Sequence, residues 1–245
     1  MVTEEDAALE KAARLGAPSW VWRAGQQRRL DLVRRYLPLE GRRILDIGCG
    51  VGMYLRAFQR YSPSVLGLEI DHERAGHASA IAPVLQARAE SLPLRDASVD
   101  VVFLNEVLEH VADDRRAIAE AARVVPRGGH IVIYLPNRRY PFETHGVYWR
   151  GRYHFGNFLF VNYLPEQFRD RLVPHARAYT WPDLRRTFEG LPLRIVHHGY
   201  VYPGFDNVKA RSPFLADVLR RVLYALEHTP LRVFGLSHFL VLERL

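Results

Sequence analysis

A short apolar strand that runs directly into alternating glycines constrains the fold of this chain more than any other feature. Residues 44–52 read ILDIGCGVG. Glycine adopts positive φ readily, and without a Cβ it lets a ligand approach the backbone closely. A turn of this kind, between a strand and a helix, is typical of a nucleotide-cofactor site at the carboxyl edge of an open α/β sheet.

The rest of the chain alternates between strand and helix patterns. Apolar runs predict strands at residues 43–47, 65–70, 83–87, 99–104, 130–135, 193–198 and 238–243. Helical patterns fall at residues 51–60, 72–79, 113–125, 181–189 and 213–226. This alternation predicts an α/β fold: a doubly wound, mostly parallel seven-stranded sheet with helices on both faces.

Two segments depart from the alternation. Residues 1–38 predict an N-terminal helical cap, as two helices over 5–37 that are broken at residues 17–19. Residues 136–180 are aromatic, basic and weakly periodic, and they are too long for an ordinary connection. We interpret them as a lid inserted after strand five, a substrate segment within one domain that spans residues 1–245.

The glycine pattern excludes two other nucleotide sites. A dinucleotide fingerprint ends in a third glycine, where this chain has Met53, and no Lys-Ser or Lys-Thr pair follows to complete a P-loop. A single cysteine, Cys49, excludes an internal disulfide and a multi-cysteine zinc site. We expect Cys49 to pack between the glycines. The histidines show no HExxH spacing, so we expect no metal.

An acidic residue followed by GxGxG resembles the first motif of class I S-adenosylmethionine (SAM)-dependent methyltransferases. Further segments resemble later motifs of that family, in the family's order: VLGLE at 65–69, AESLP at 89–93, NEVLEH at 105–110 and RGG at 127–129. The resemblance covers roughly residues 40–136. It implies SAM as the cofactor, S-adenosylhomocysteine as the product, and an antiparallel last strand.

The resemblance also assigns roles to single residues. Asp46 would lie near the methionyl end of SAM, Glu69 would accept hydrogen bonds from both ribose hydroxyls, and Ile70 would pack on adenine. The complete set of cofactor residues that it implies is Asp46, Gly48, Cys49, Gly50, Glu69, Ile70, Ala89, Glu90, Asn105 and Glu106. Arg88 departs from the pattern, which commonly has Asp or Asn there. Because a guanidinium accepts no hydrogen bond, Glu90 or a backbone carbonyl would have to bind the adenine amino group.

Methyl transfer from SAM is an in-line displacement, and a hydroxyl acceptor must also lose a proton. His145 is the preferred candidate for the general base, oriented by Glu143. His110 and His154 are alternatives, and the absence of any dedicated base is another. The residues that we expect to bind the acceptor are Tyr140, Glu143, His145 and Tyr148.

Charge and aromatic content bear on the acceptor. The net charge of +7 favours anionic partners, although a bias towards arginine would give the same value. The aromatic rings and arginines of residues 136–180 suit a flat or amphiphilic molecule with an anionic part. We predict methyl transfer to an oxygen, or a nitrogen, of a small-molecule acceptor. An RNA methyltransferase, disfavoured because no Asn-Pro-Pro-aromatic motif follows strand four, and a catalytically silent SAM-binding module remain alternatives.

The hydropathy of the chain argues against a membrane-spanning protein. No run approaches the roughly 18 apolar residues of a spanning helix, and the acidic N-terminus lacks the features of a signal peptide, so we expect a cytoplasmic protein. The apolar face of residues 213–226 fits peripheral contact with a membrane surface, but the place of this helix before the last strand favours the core. The oligomeric state is open.

Overall fold

The computed structural model describes Lys11, Gly16 and residues 19–245. Most of the first predicted cap helix lies outside the described residues. The second is present. The strands, in chain order, are β1 (Ile44–Ile47), β2 (Val65–Glu69), β3 (Val84–Gln86), β4 (Val101–Asn105), β5 (His130–Pro136), β6 (Phe142–Glu143), β7 (Val147–Trp149), β8 (Arg152–His154), β9 (Phe158–Leu159), β10 (Leu193–Val201) and β11 (Ser237–Arg244).

Helices occupy most of the intervals between the strands of the main sheet. They are α1 (Ala24–Tyr36), α2 (Met53–Phe58), α3 (His72–Ser79), α4 (Asp114–Val124), α5 (Glu166–Leu172), α6 (Trp181–Phe188), α7 (Asp206–Arg211) and α8 (Pro213–Leu226). Short 3₁₀ turns lie at Val161–Tyr163 and Pro230–Phe234.

A seven-stranded sheet forms the centre of the molecule, in the spatial order β3-β2-β1-β4-β5-β11-β10. Strand β11 runs antiparallel to both of its neighbours, and the other six strands are parallel to one another. The predicted mostly parallel sheet with an antiparallel last strand is confirmed. Each predicted strand overlaps an observed one.

Two apolar clusters cover the two faces of the sheet. One packs α4 and α6 against it, and the other packs α1, α2 and α3 against the opposite face. Residues 101–104 of β4 are therefore fully buried, as expected of a parallel strand covered on both sides. The predicted helices on both faces are confirmed.

The two long connections both lie at the carboxyl edge of the parallel strands. Residues 137–180 follow β5 and contain two small antiparallel sheets, β6 with β9 and β7 with β8, together with α5. Residues 202–236 leave the end of β10 and return at the start of β11, at the same edge. The lid role of the first connection stays a prediction.

The prediction that the helix at residues 213–226 packs in the core is wrong. Ala216 alone among the residues of α8 is buried, and Phe214 is 79% exposed. Both faces of the sheet are already covered by other helices, so α8 packs instead on α7 and on the Pro230–Phe234 turn. The alternative, a helix at a membrane surface, stays a prediction, as does a cytoplasmic location.

Among the described residues, no helix combines the length and the hydropathy needed to cross a membrane.

Candidate active site

The glycine loop between β1 and α2 has the backbone that its sequence predicts. Gly48 and Gly50 have φ values of 68° and 56°. A Cβ on Gly48 would lie 2.5 Å from Cγ2 of Val107, whereas a Cβ on Gly50 would meet no described atom within 4 Å. Gly48 is therefore required by close packing against the segment after β4, and Gly50 opens onto free space.

A cavity of about 490 Å³ lies along this loop, within the size range of small-molecule sites. It extends from the glycine loop and Glu69 to Glu143 and His145. Nine of the ten predicted cofactor residues line it: Gly48, Cys49, Gly50, Glu69, Ile70, Ala89, Glu90, Asn105 and Glu106.

Asp46 is the tenth predicted cofactor residue, and it does not line the cavity. Its carboxylate is buried in β1, where burial first and the nearby charge of Glu69 second raise its pKa well above the usual value. Oδ2 of Asp46 accepts no hydrogen bond from the described part of the chain. Cys49 is buried as well, and burial raises the pKa of its thiol, which fits a packing role.

Glu69, at the end of β2, is bound by the loop that it faces. Its Oε2 accepts a hydrogen bond from the backbone N–H of Gly50 at 2.8 Å. Its Oε1 accepts from the N–H groups of Ile70 at 2.9 Å and Asp71 at 3.0 Å. Because a carboxylate has about four lone-pair sites, capacity for a further donor remains.

The segment after β3 turns its carboxylate away from the predicted adenine contact. Oε1 of Glu90 accepts a hydrogen bond from the backbone N–H of Ala112, at 2.8 Å, just before α4. Ala89 is buried, and Arg88 lines the cavity while remaining exposed. The backbone of this segment is thus better placed than the Glu90 carboxylate to contact a ligand. Ile70, 42% exposed, offers an apolar surface on the same cavity.

The residues after β4 have partners that the sequence analysis missed. Nη1 of Arg29, from α1, donates to Oδ1 of Asn105 at 2.6 Å, and its Nη2 lies 2.7 Å from Oε1 of Glu106. The hydroxyl of Ser237, at the start of β11, donates to the same Glu106 oxygen at 2.8 Å. Arg29 and Ser237 lie far from residue 106 in the sequence. Only the strand order β4-β5-β11 and the packing of α1 bring them to the cavity.

His145 lies between two carboxylates at the far end of the cavity. Its Nδ1 is 2.9 Å from Oε1 of Glu143, and its Nε2 is 3.8 Å from Oε1 of Glu109. Burial alone would lower the pKa of His145, but the carboxylates of Glu109 and Glu143 on either side of its ring raise it to about 10. The imidazole is therefore charged at neutral pH before an acceptor binds.

The two carboxylates differ in protonation. Burial would raise the pKa of Glu143, yet the hydrogen bond from His145 and the charge of Arg169 hold it at about 2. Glu109 is fully buried, and burial raises its pKa to about 8. Neither oxygen of Glu109 accepts a hydrogen bond within the described ranges.

Arg169 is a buried cation that the sequence analysis did not single out. Its side chain is 1% exposed, and its Nη2 donates to Oε2 of Glu143 at 2.8 Å. The other guanidinium nitrogens donate to the carbonyl of Ala176 and to Oδ1 of Asn162. Among the many arginines of residues 136–180, no sequence signal distinguishes this one.

Some of the remaining predicted histidine and tyrosine residues line the cavity, and others do not. His110 lines the cavity, and its Nδ1 lies 3.0 Å from the carbonyl of His175. Burial lowers the pKa of His110 to about 4, so it is neutral. Tyr140 lines the cavity, but Tyr148 does not, since its ring packs beside Tyr153 and His175. Of the predicted acceptor residues, Tyr140, Glu143 and His145 meet at the cavity.

Residues 45–133 match a family model described as "Methyltransferase domain". Strand order, glycine loop and acidic strand ends together define a class I, Rossmann-like fold of the kind found in SAM-dependent methyltransferases. Residues 45–133 are therefore similar to a methyltransferase domain, and the relatives that match are named as SAM-dependent enzymes.

Relatives with assigned names share part of the chain. A probable SAM-dependent methyltransferase of Mycolicibacterium smegmatis is 37% identical over 101 residues, 40% of this chain and 39% of the relative. A ubiquinone biosynthesis O-methyltransferase of Alkalilimnicola ehrlichii is 37% identical over 122 residues, 45% of this chain and 48% of the relative. The chain thus spans less than half the length of these relatives.

Solved structures support the fold over most of the chain. A SAM-dependent methyltransferase from Mesorhizobium loti superposes with a TM-score of 0.59 at 21% identity, covering 87% of this chain and 96% of that one. A putative methyltransferase from Haloferax volcanii, in complex with the Trm112 activator, gives a TM-score of 0.60 at 19% identity, covering 98% of this chain and 92% of that one.

The residues of the cavity fit SAM. The free space at Gly50 leaves room for a ligand against the backbone, and the buried Glu69 carboxylate retains capacity for a hydroxyl donor. Asn105 and Glu106 are held on the opposite wall by Arg29. These contacts form a polar cradle next to the apolar surface of Ile70.

Proposed function

We propose that this chain transfers a methyl group from bound SAM to an oxygen of a small-molecule acceptor. One observation carries the proposal: the cavity is continuous from the glycine loop to His145, so a donor at Glu69 and an acceptor at His145 would share one space. Bound SAM supplies the methyl group as an electrophile. Oxygen as the receiving atom is supported by relatives that are named as ubiquinone biosynthesis O-methyltransferases.

Residues on different walls of the cavity would together bind the methyl donor, SAM. Glu69 would accept hydrogen bonds from the ribose hydroxyls, and Ile70 would pack against adenine. Asn105 and Glu106 would flank the cofactor from the end of β4, where Arg29 keeps their side chains in place. A fixed donor and acceptor convert a bimolecular reaction into one within a single complex, which contributes about 7–11 kcal/mol in well-oriented systems.

We propose that His145 accepts the proton of a hydroxyl acceptor. In the form of the pair in which Glu109 is ionised and His145 is charged, the proton on Nε2 of His145 can pass to Glu109, 3.8 Å away, whose burial favours the protonated form, and the imidazole is then a neutral base. Glu143 stays ionised, so Nδ1 of His145 stays protonated and the ring stays oriented. In this scheme Glu143 is a positioning residue, and so is Arg169 behind it.

We propose an amphiphilic rather than an anionic acceptor. The arginines from which we predicted anion binding, Arg138, Arg139, Arg150 and Arg152, do not line the cavity. Aromatic side chains line it instead, namely Tyr140, Phe142, Tyr153 and Phe155. Phe155 is 66% exposed, so an apolar acceptor would find a surface that continues outwards from the cavity.

The direct test is a screen of acceptors with isotopically labelled SAM. The panel contains phenols and alcohols with and without an alkyl tail, amines of matched size, and RNA. We expect label in hydroxyl compounds, with the tailed ones preferred. Label confined to RNA, or no transfer to any acceptor by a protein that binds SAM, would contradict the proposal.

The role of His145 is tested with its alanine variant. We expect His145→Ala to lower turnover by about 10²–10⁴-fold, as for the loss of a general base, and to retain SAM affinity. His154, the alternative base considered from the sequence, is exposed and does not line the cavity, so His154→Ala is the matched control. Full turnover by His145→Ala would exclude His145 as the base.

A further inference from the structure

Glu109, His110 and His145 form a cluster of ligand-type groups at the acceptor end of the cavity. One ring nitrogen of each histidine and one carboxylate oxygen of Glu109 lie within 4.8 Å of one another. Glu109 and His110 follow β4, and His145 follows β5, so the cluster is assembled by two neighbouring strands of the sheet. Because His110 and His145 are far apart in the sequence, the spacing of the histidines does not indicate this cluster.

Hydrogen bonds leave the histidines suited to bind a cation. Nδ1 of His145 donates to the Glu143 carboxylate at 2.9 Å, and Nδ1 of His110 donates to the carbonyl of His175 at 3.0 Å. Nε2 of His110 then carries a lone pair, and Nε2 of His145 carries one once a cation displaces its proton. A histidine that donates its other N–H to a carboxylate or a carbonyl is the usual arrangement behind a metal ligand.

Glu109 lacks the partners that a buried carboxylate needs. Its side chain is fully buried, and neither oxygen accepts a hydrogen bond from a described residue. The nearby acidic groups are already paired, since Arg29 binds Glu106 and Arg169 binds Glu143. Buried polar groups are normally hydrogen-bonded, and buried charges are normally paired or coordinate a metal. A cation between Glu109 and the two histidines would supply the missing partner.

We propose that Glu109, His110 and His145 bind a divalent first-row transition-metal cation, with Zn²⁺ as the first candidate. Two imidazoles and one carboxylate form the protein ligand set of zinc sites that keep an open position. Nitrogen ligands disfavour Mg²⁺ and Ca²⁺, which prefer oxygen. Ligand atoms on one cation, at about 2.0–2.2 Å from it, lie closer together than 4.8 Å. No hydrogen bond from a described residue would have to break for the Glu109 carboxylate to move towards the cation.

The cation would occupy the place of the proton that Glu109 and His145 share. If the proposed methyl transfer to a hydroxyl acceptor is correct, on which this role rests, an acceptor beside the cation would ionise more readily. His145 would be a ligand in the metal-bound protein, and its role as the base would belong to the metal-free protein. Binding itself does not depend on methyl transfer and can be measured without an acceptor.

The test titrates Zn²⁺ into the chelator-stripped full chain by calorimetry, with metal analysis after gel filtration. We expect one Zn²⁺ per chain, bound about 100-fold or more weakly by Glu109→Gln and by His145→Ala. Glu143→Gln should weaken binding by about 10–100-fold, as losses behind a metal ligand do. His154→Ala is the matched control and should bind as the wild type does. Absence of bound Zn²⁺, or equal affinity in Glu109→Gln, would overturn the proposal.

Cobalt provides a second measurement on the unmodified protein, which does not depend on the folding of any variant. Co²⁺ bound by imidazole and carboxylate absorbs visible light in a way that hexaaqua Co²⁺ does not. We expect that absorption at one equivalent, and displacement by Zn²⁺. The spectrum of hexaaqua Co²⁺ alone would overturn the metal site and leave the methyl-transfer proposal standing. Metal binding without methyl transfer to any acceptor would contradict only the methyl-transfer proposal.

Discussion

At the scale of single residues, His145 depends on two carboxylates with opposite protonation. Glu143 is held ionised by His145 and Arg169, so it fixes the ring through Nδ1. Burial raises the pKa of Glu109 to about 8, and neither of its oxygens accepts a hydrogen bond from a described residue. The His145 imidazole thus has a permanently ionised partner, Glu143, on one side and a partner that can exchange a proton with it, Glu109, on the other.

This arrangement predicts the titration of His145. In the chelator-treated protein we expect its imidazole to titrate near pH 10. In Glu109→Gln the titration should move to lower pH, because one of the two carboxylates that favour the imidazolium becomes neutral. Nuclear magnetic resonance of the histidine rings measures this titration. An unchanged His145 titration in Glu109→Gln would rule out the pairing.

The same shifts define a pH window for stability. The folded-state pKa of His145 is raised from 6.5 to about 10, so its contribution is complete below about 6.5 and is lost as pH rises through 10. The pKa of Glu143 is lowered from 4.5 to about 2, so its contribution is complete above about 4.5 and is lost towards pH 2. We expect the destabilisation by Glu143→Gln, measured by urea unfolding, to be largest between about pH 4.5 and 6.5. A loss that is constant with pH would contradict this.

At the scale of elements, α5 stabilises the segment after β5 through Arg169. Removal of one partner from a buried ion pair leaves an uncompensated charge and typically costs about 3–5 kcal/mol. We expect Arg169→Leu to lower the free energy of unfolding by that amount. Adding Glu143→Leu should restore part of it, because no charge is then left unpaired. If the double variant, measured by urea unfolding, lost the sum of the two single-variant losses in unfolding free energy, the Arg169–Glu143 ion pair would be contradicted.

Two glycines of similar backbone conformation allow the effect of backbone strain to be distinguished from the effect of contact with the ligand. Gly41 and Gly50 have φ values of 67° and 56°, and a Cβ on either would meet no described atom within 4 Å. Each alanine variant should therefore lose a similar stability, about 1–2 kcal/mol for a left-handed residue. Only Gly50→Ala should also weaken SAM binding in calorimetry, because only Gly50 lines the cavity. Equal SAM affinity in both variants would remove Gly50 from the site.

The main sheet was predictable because most of its strands are short apolar runs that alternate with helical patterns. The glycine loop and Glu69 were predictable because they are local motifs at strand ends. Arg29, Arg169 and Ser237 were not, since their roles depend on contacts across more than one element. The exposure of α8 was not predictable either, because an amphipathic helix has the same pattern whether a core or another surface faces it.

At the scale of the whole molecule, the sheet brings distant segments to one edge. The connections after β5 and β10 both lie at the carboxyl edge of the parallel strands, where α1 and the glycine loop also meet. The cavity is therefore built by α1, the loops after β1, β2, β3 and β4, the connection after β5 and the start of β11. A donor site and an acceptor site become neighbours through this topology.

The central claim, that SAM binds between the glycine loop and Glu69, is tested most directly by calorimetry with SAM on the wild type and on Glu69→Ala. We predict that the wild type binds SAM and that Glu69→Ala binds it more weakly by about 1.5–3 kcal/mol, the loss of hydrogen bonds to a charged group. Equal affinity of the two proteins would contradict the account.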